Sequence, residues 1–149
     1  MVHVFELAQL NIGRIVAPLD DPQLKEFVDN LDPINALAEH SVGFVWRLKG
    51  TDNNATSIRA FDDDMIIVNM SVWRDLESLK HYVYQSDHTR FLRERKKWFS
   101  VMSEMYMALW WVPAGHQPSV QEAQARLMHL RQHGETPHAF SFRKTFLPF

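Results

Sequence analysis

Residues 65–113, MIIVNMSVWRDLESLKHYVYQSDHTRFLRERKKWFSVMSEMYMALWWVP, constrain the fold more than any other part of the chain, because they read as strand, long helix, strand. From Met65 to Trp73 the alternation of a strand sends Ile66, Val68, Met70 and Val72 to one side, and Ile67, Asn69, Ser71 and Trp73 to the other. The first side is all core. The second mixes an aromatic ring with an amide and a hydroxyl, the combination that lines small-molecule pockets.

The rest of the chain supplies partners for this unit. Residues 3–12 read as a strand, and Pro18–Pro22 as a turn into a helix. That helix carries Leu24, Phe27, Val28 and Leu31 on one face. Asp32–Pro33 either kinks it or starts a second short helix reaching about His40. Val42–Leu48 is a strand, and 50–64, rich in Asp and Asn, a hairpin loop expected to be mobile. Asp75 is placed to cap the next helix, whose pattern restarts at Ser86–Asp87 and runs to about Met102. Met105–Val112 is a strand apolar on both faces, hence covered twice. Ser119 with Glu122 forms a capping box ahead of Val120, Ala123, Leu127 and Leu130, and Gly134 sits at the C-terminal cap position. A strand with alternating Phe140, Phe142 and Phe146 ends the chain.

The order β-α-β-β-α-β followed by α-β predicts an α+β protein: a ferredoxin-like βαββαβ unit with an added C-terminal α-β, one domain over 1–149. Helices cover one face of such a sheet. The other carries too many aromatics to stay wet, so it is expected either to form a homodimer through the sheet face, the preferred reading, or to be covered by the C-terminal helix of the same chain. Five Trp and ten Phe motivate that expectation.

Composition excludes more than it proposes. With no cysteine there are no disulfides, no thiolate chemistry and no Cys-based metal site. A net charge of −2 favours neither nucleic acid nor an anionic membrane as partner. No apolar run approaches the roughly 20 residues of a membrane span. The N-terminus alternates and carries Glu6 early, unlike a signal peptide, so a cytoplasmic location is expected. Signatures of Rossmann enzymes, P-loop nucleotidases and α/β-hydrolases are missing.

The segments NMSVWRDLESLKHYVYQSDHTRFLRERKKWF, ALWWVPAGHQPSVQEAQARLMHLRQHG and AFSFRKTF resemble an uncharacterised bacterial family of the dimeric α+β barrel proteins, whose best-known members are antibiotic biosynthesis monooxygenase-like enzymes. The resemblance to that family covers nearly the whole chain. Likeness to members of known activity is confined to the pattern around VWRDLESL. It implies a ferredoxin-like protomer, dimerisation through the sheets and a pocket between sheet and helices. Some relatives oxidise polycyclic phenols or degrade haem without a conventional cofactor; others isomerise or decarboxylate. The haem-degrading relatives use an Asn-Trp-His set, for which this chain offers Asn11, Trp73 and His88 as residue types. Tyr82 stands where their tryptophan falls, and their histidine aligns near Phe91 to Arg95 rather than at His88, so the pattern is broken.

On this reading His88 and Arg95 are the candidate catalytic residues, seven apart and projecting from the same side of their helix. His88 would act as a base near neutral pH and Arg95 would hold a phenolate or carboxylate. The bland alternative pairs Arg95 with a structural carboxylate and leaves His88 as a helix cap. Asn69, Ser71, Trp73, Tyr82 and Trp98 are the candidate substrate-binding residues. No cofactor is expected, with haem as the exception, and the expected ligand is a small aromatic molecule. Arg93, Glu94, Lys96 and Lys97 read as solvated surface. His129 and His133 at i, i+4, with His138 close behind, have metal-ligand spacing, but they also stand at a helix C-terminus where histidines are favoured electrostatically. His116 reads as a loop residue.

Overall fold

A computed structural model describes residues 4–49, 63, 65–85 and 93–148. Four strands make one antiparallel sheet in the order β2-β3-β1-β4: β1 (Phe5–Arg14), β2 (Phe44–Arg47), β3 (Ile66–Trp73) and β4 (Met107–Pro113). With α1 (Lys25–Glu39) between β1 and β2, and α2 (Leu76–Gln85) between β3 and β4, this is the ferredoxin-like arrangement expected from the element order. A further helix, α3 (Val120–His133), follows β4. No helix among the described residues is long and apolar enough to cross a membrane.

Local chemistry sets the helix ends. Asp21 accepts a hydrogen bond from the Gln23 amide and starts a 3-10 turn at Pro22 that leads into α1. Pro33 lies inside α1 and does not split it, because packing along its whole length outweighs one lost backbone bond. Asp75 accepts from the Ser78 amide at 2.8 Å, as a cap for α2 requires. Ser119 accepts from the Glu122 amide at 3.0 Å, and Gly134, at φ 72°, ends α3 in a conformation that suits glycine.

The two faces of β3 part as the alternation predicts. Val68, Met70 and Val72 join Ala8, Leu10, Ile12, Ala108, Trp110 and Val112 beneath Ala123, Leu127 and Leu130 of α3. Trp73, with Leu7 and Leu109, turns to the opposite face, against Leu79 and Tyr82 of α2 and Ala38 of α1. The C-terminal helix therefore covers the second sheet face within one chain. The face expected either to pair with a second copy or to be covered by the C-terminal helix carries that helix.

Two element boundaries differ from the sequence reading. The helical pattern expected to reach Met102 ends in a 3-10 turn at Arg95–Lys97. Beyond it the backbone is taken by the end of β1: Phe99 bridges Ile15, the Val16 amide donates to the Trp98 carbonyl and the Ser100 amide to the Arg14 carbonyl. These pairings override the helical periodicity of the side chains. The expected terminal strand is reduced to one bridge, Phe140 with Leu109, between tight turns at Thr136–Ala139 and Ser141–Lys144. The second turn is fixed by the Ser141 hydroxyl, which accepts from the Arg143 amide. The 50–64 loop, apart from Asp63, and the restart at Ser86–Asp87 lie outside the described residues.

Because Leu127 is fully buried between α3 and the sheet, Leu127→Ala is expected to cost about 2–5 kcal/mol of stability, read from urea unfolding.

Candidate functional site

Between the sheet and helices α1 and α2 lies a cavity of about 320 Å³, at the lower end of the range for small-molecule sites. Its floor is one face of β1 and β3. The antiparallel register sets Gln9 beside Ser71, Asn11 beside Asn69 and Gly13 beside Ile67. Phe27, Leu31, Ile34 and Ala38, one face of α1, form the roof, and Leu79, Tyr82 and Val83 of α2 close one end.

A polar seam runs through this apolar shell. The Gln9 carboxamide, 7 % exposed, donates to Asn69 Oδ1 and to Ser71 Oγ, both at 2.8 Å. Ser71 Oγ also accepts the Trp73 indole N–H at 2.8 Å. Asn11 donates to Gln9 Oε1 at 3.4 Å. Counting donors and acceptors shows what remains. Both lone pairs of the Ser71 hydroxyl are occupied, so its proton must point elsewhere, and no described residue accepts it. Asn69 turns its oxygen to Gln9, which leaves its NH₂ group for the cavity. The seam thus offers the cavity mainly donors, with Asn11 Oδ1 as the counterexample.

Aromatic and cationic groups flank the seam. Trp73 is fully buried and stacks on Tyr82, ring centroids 5.1 Å apart at 28°. Burial pushes the Tyr82 phenol well above its ordinary value, against the opposing charge of Arg47, so it stays protonated at neutral pH. At the other end Arg95 donates from Nη2 to the Ile12 carbonyl at 3.1 Å and lies over the rings of Phe99 and Tyr106, 4.5 and 5.1 Å from their centroids. Burial lowers its pKa, an effect opposed by Tyr106, yet a guanidinium remains charged at any physiological pH. Gly13 makes this end possible: a Cβ there would stand 2.5 Å from the Phe99 ring and 3.1 Å from Arg95 Nη2.

The structure brings Asn69, Ser71, Trp73, Tyr82 and Arg95 to one cavity. It does not bring Trp98, which is 2 % exposed and packs against Phe27 in the core beneath the 3-10 turn, its ring 5.7 Å from that of Phe27. His88 lies outside the described residues. Among the described residues no carboxylate reaches Arg95 within ion-pair distance, so the pairing posed by the bland reading is not seen there. Among the lining residues that escaped the sequence reading, Gln9, Gly13 and Arg47 stand out. Gln9 sits on the strand read over 3–12 and Gly13 just beyond it, and their role follows from register, which a single strand does not reveal. Arg47, 6 % exposed, lines the wall and has the Glu39 carboxylate 3.6 Å away, so its charge is compensated where that of Arg95 is not.

Ser71→Ala removes the acceptor for both the Trp73 indole and Gln9, two buried donors. A loss of roughly 1–3 kcal/mol is expected in chemical unfolding, with a shift in the near-ultraviolet signal of Trp73.

No curated protein matches the chain. Among solved structures it is similar to the protein PA3566 from Pseudomonas aeruginosa, at 13 % identity and a TM-score of 0.52 over 78 % of this chain and all of that one, which shows a shared fold. It is also similar to NE2512, a protein of unknown function from Nitrosomonas europaea, at 14 % identity and a TM-score of 0.49 over 79 % of this chain and 99 % of that one. A third similar structure is SnoaB, a cofactor-independent oxygenase from Streptomyces nogalater, at 16 % identity and a TM-score of 0.47 over 75 % of this chain and 95 % of that one. Residues 6–148 match the family described as Domain of unknown function (DUF3291), and the chain belongs to that family.

Proposed function

We propose that this protein binds a planar, oxygen-bearing aromatic molecule between its sheet and helices and oxidises it with molecular oxygen, as a cofactor-independent monooxygenase. The observation that carries the binding half is Arg95: a partly buried cation that lines the cavity and has no carboxylate partner among the described residues. Such a group favours an anion. The free donors of Ser71 and Asn69 favour a carbonyl or phenolate oxygen midway along the floor, and Trp73 on Tyr82 offers an aromatic wall. From Trp73 to Ile67 the floor runs roughly 20 Å at the rise of a strand, which suits an elongated, fused-ring ligand.

Turnover rests on the resemblance around VWRDLESL together with this chemistry. A substrate that loses a proton becomes an electron-rich anion, which Arg95 stabilises in a dry pocket. Oxidation of a ring CH₂ to a carbonyl then consumes one O₂ and releases one water, with all electrons drawn from the substrate and oxygen. Tyr82 is protonated and does not serve as the base; His88 is assigned that role by the sequence argument alone. A second reading, a ligand-binding protein without turnover, is favoured by one observation: no histidine or carboxylate is among the described residues that line the cavity.

Oxygen uptake with a panel of polycyclic phenols, with no flavin or metal added, separates the two. Substrate-dependent uptake is expected, lost in His88→Ala with ligand affinity kept. Binding without uptake by the unaltered protein would leave only the ligand-binding reading. Arg95→Gln is expected to weaken anionic phenols at least tenfold and neutral analogues little, measured by quenching of tryptophan fluorescence.

A further inference from the structure

The segment after α3 walls the cavity. Gly134 ends α3, and in the segment 135–148 Phe140 bridges the edge strand β4. Phe140 exchanges both backbone hydrogen bonds with Leu109, at 2.7 and 2.8 Å. Phe142 reaches the cavity and packs edge-on to Tyr84, another lining residue, with centroids 5.5 Å apart. The Phe146 carbonyl accepts the Trp111 indole N–H at 2.7 Å.

Three imidazoles gather where this strap begins. The His129 ring lies 4.5 Å from those of both His133 and His138. Arg126 Nη1 donates to the His138 carbonyl at 2.8 Å and faces His138 Nδ1 at 3.1 Å. A guanidinium has only donors, so this second contact is a hydrogen bond only while Nδ1 is unprotonated. His129 Nδ1 is buried with no hydrogen-bond partner. A proton on His138 Nδ1 therefore removes that acceptor and sets a positive charge against Arg126.

We propose that His138 and Arg126 form an acid-sensitive latch that seats the start of the C-terminal strap at neutral pH and loosens it on protonation of His138.

The surrounding charges do not cancel the effect. On α3, Glu122 is the nearest acid to Arg126, but its carboxylate is committed to the Trp110 indole and to His116, at 2.9 and 2.7 Å. Arg131 turns away to the Met105 carbonyl and Glu104. On the strap, Glu135 accepts from the Ser141 hydroxyl, with Arg143 and Lys144 close by. β4 carries no charged residue. Burial, Arg126 and His129 together hold the His138 pKa below its ordinary value of 6.5. A depressed pKa in the folded state stabilises the strap fully above 6.5, and that contribution is lost as pH falls through the lower folded value. A metal site is the other use of clustered histidines, but no group of three donors among the described residues is placed to hold an ion, and Arg126 opposes one.

The absence of cysteine makes a clean reporter possible. Ser141 is 3 % exposed, so in Ser141→Cys the thiol is protected while the strap is seated. Its reaction with 4,4′-dithiodipyridine is measured at pH 7.5 and 5.5, each rate divided by that of the denatured chain at the same pH. Protection is expected to fall at least tenfold on acidification, and less than threefold when His138→Gln is added. Protection that stays constant with pH, or an equal fall with His138→Gln, would overturn the latch. Should Ser141→Cys fold poorly, hydrogen exchange at the Phe140 amide of the unaltered chain, corrected for intrinsic rate, must show the same loss. Neither readout involves a ligand, so the result is independent of the proposed oxidation.

Discussion

The Gln9 carboxamide ties β1 to β3 through Asn69 and Ser71, and much else in the molecule follows from it. A strand pair that buries an amide and a hydroxyl on one face, with a second amide beside them, cannot be sealed by apolar helices without stranding polar groups. The helices over this face instead stand away from the seam and leave a cavity. The opposite face presents the Trp110 indole N–H, which Glu122 of α3 accepts, among apolar side chains, and α3 closes on it directly. One sheet thus carries both a stabilising core and a ligand space, divided by the alternation of β1 and β3.

That division explains why the fold was readable. The alternation in Met65–Trp73 assigned each residue to the face it occupies, and the order of elements gave the sheet topology. The ends of elements were harder to read. Trp98 and Phe99 continue a helical spacing, yet their backbone bonds to the end of β1, a contact between distant parts of the chain that spacing does not encode. Phe140, Phe142 and Phe146 alternate like a strand, but only Phe140 finds a strand edge to pair with.

The site was readable in the same partial way. Asn69, Ser71 and Trp73 stood out because polar residues alternate with an aromatic on an otherwise apolar strand. Arg95 stood out because it broke an apolar stripe. Trp98 was misplaced by the assumption that the stripe faced one space, whereas Phe27 separates it from the cavity. Gln9 could be found only once β1 was set beside β3, since its meaning lies in its cross-strand partner. The sheet face expected to pair with a second copy carries α3 of the same chain for a related reason. The sequence showed that the face needed cover but not which element reached it.

The strap completes the logic of the two faces. α3 belongs to the sealed side and Phe142 to the open one, so the chain must cross the edge of β4 between them. An edge strand offers free backbone groups, and Phe140 takes a pair of them, which protects the edge and fixes the crossing. Only one residue pairs, so the strap is held as much by its ends as by the sheet: by Phe146 on Trp111 at one end and by Arg126 on His138 at the other. The anchor nearest α3 is built on His138, whose protonation would set a charge against Arg126. Control of the cavity wall can therefore reside in a cluster that touches neither the seam nor Arg95.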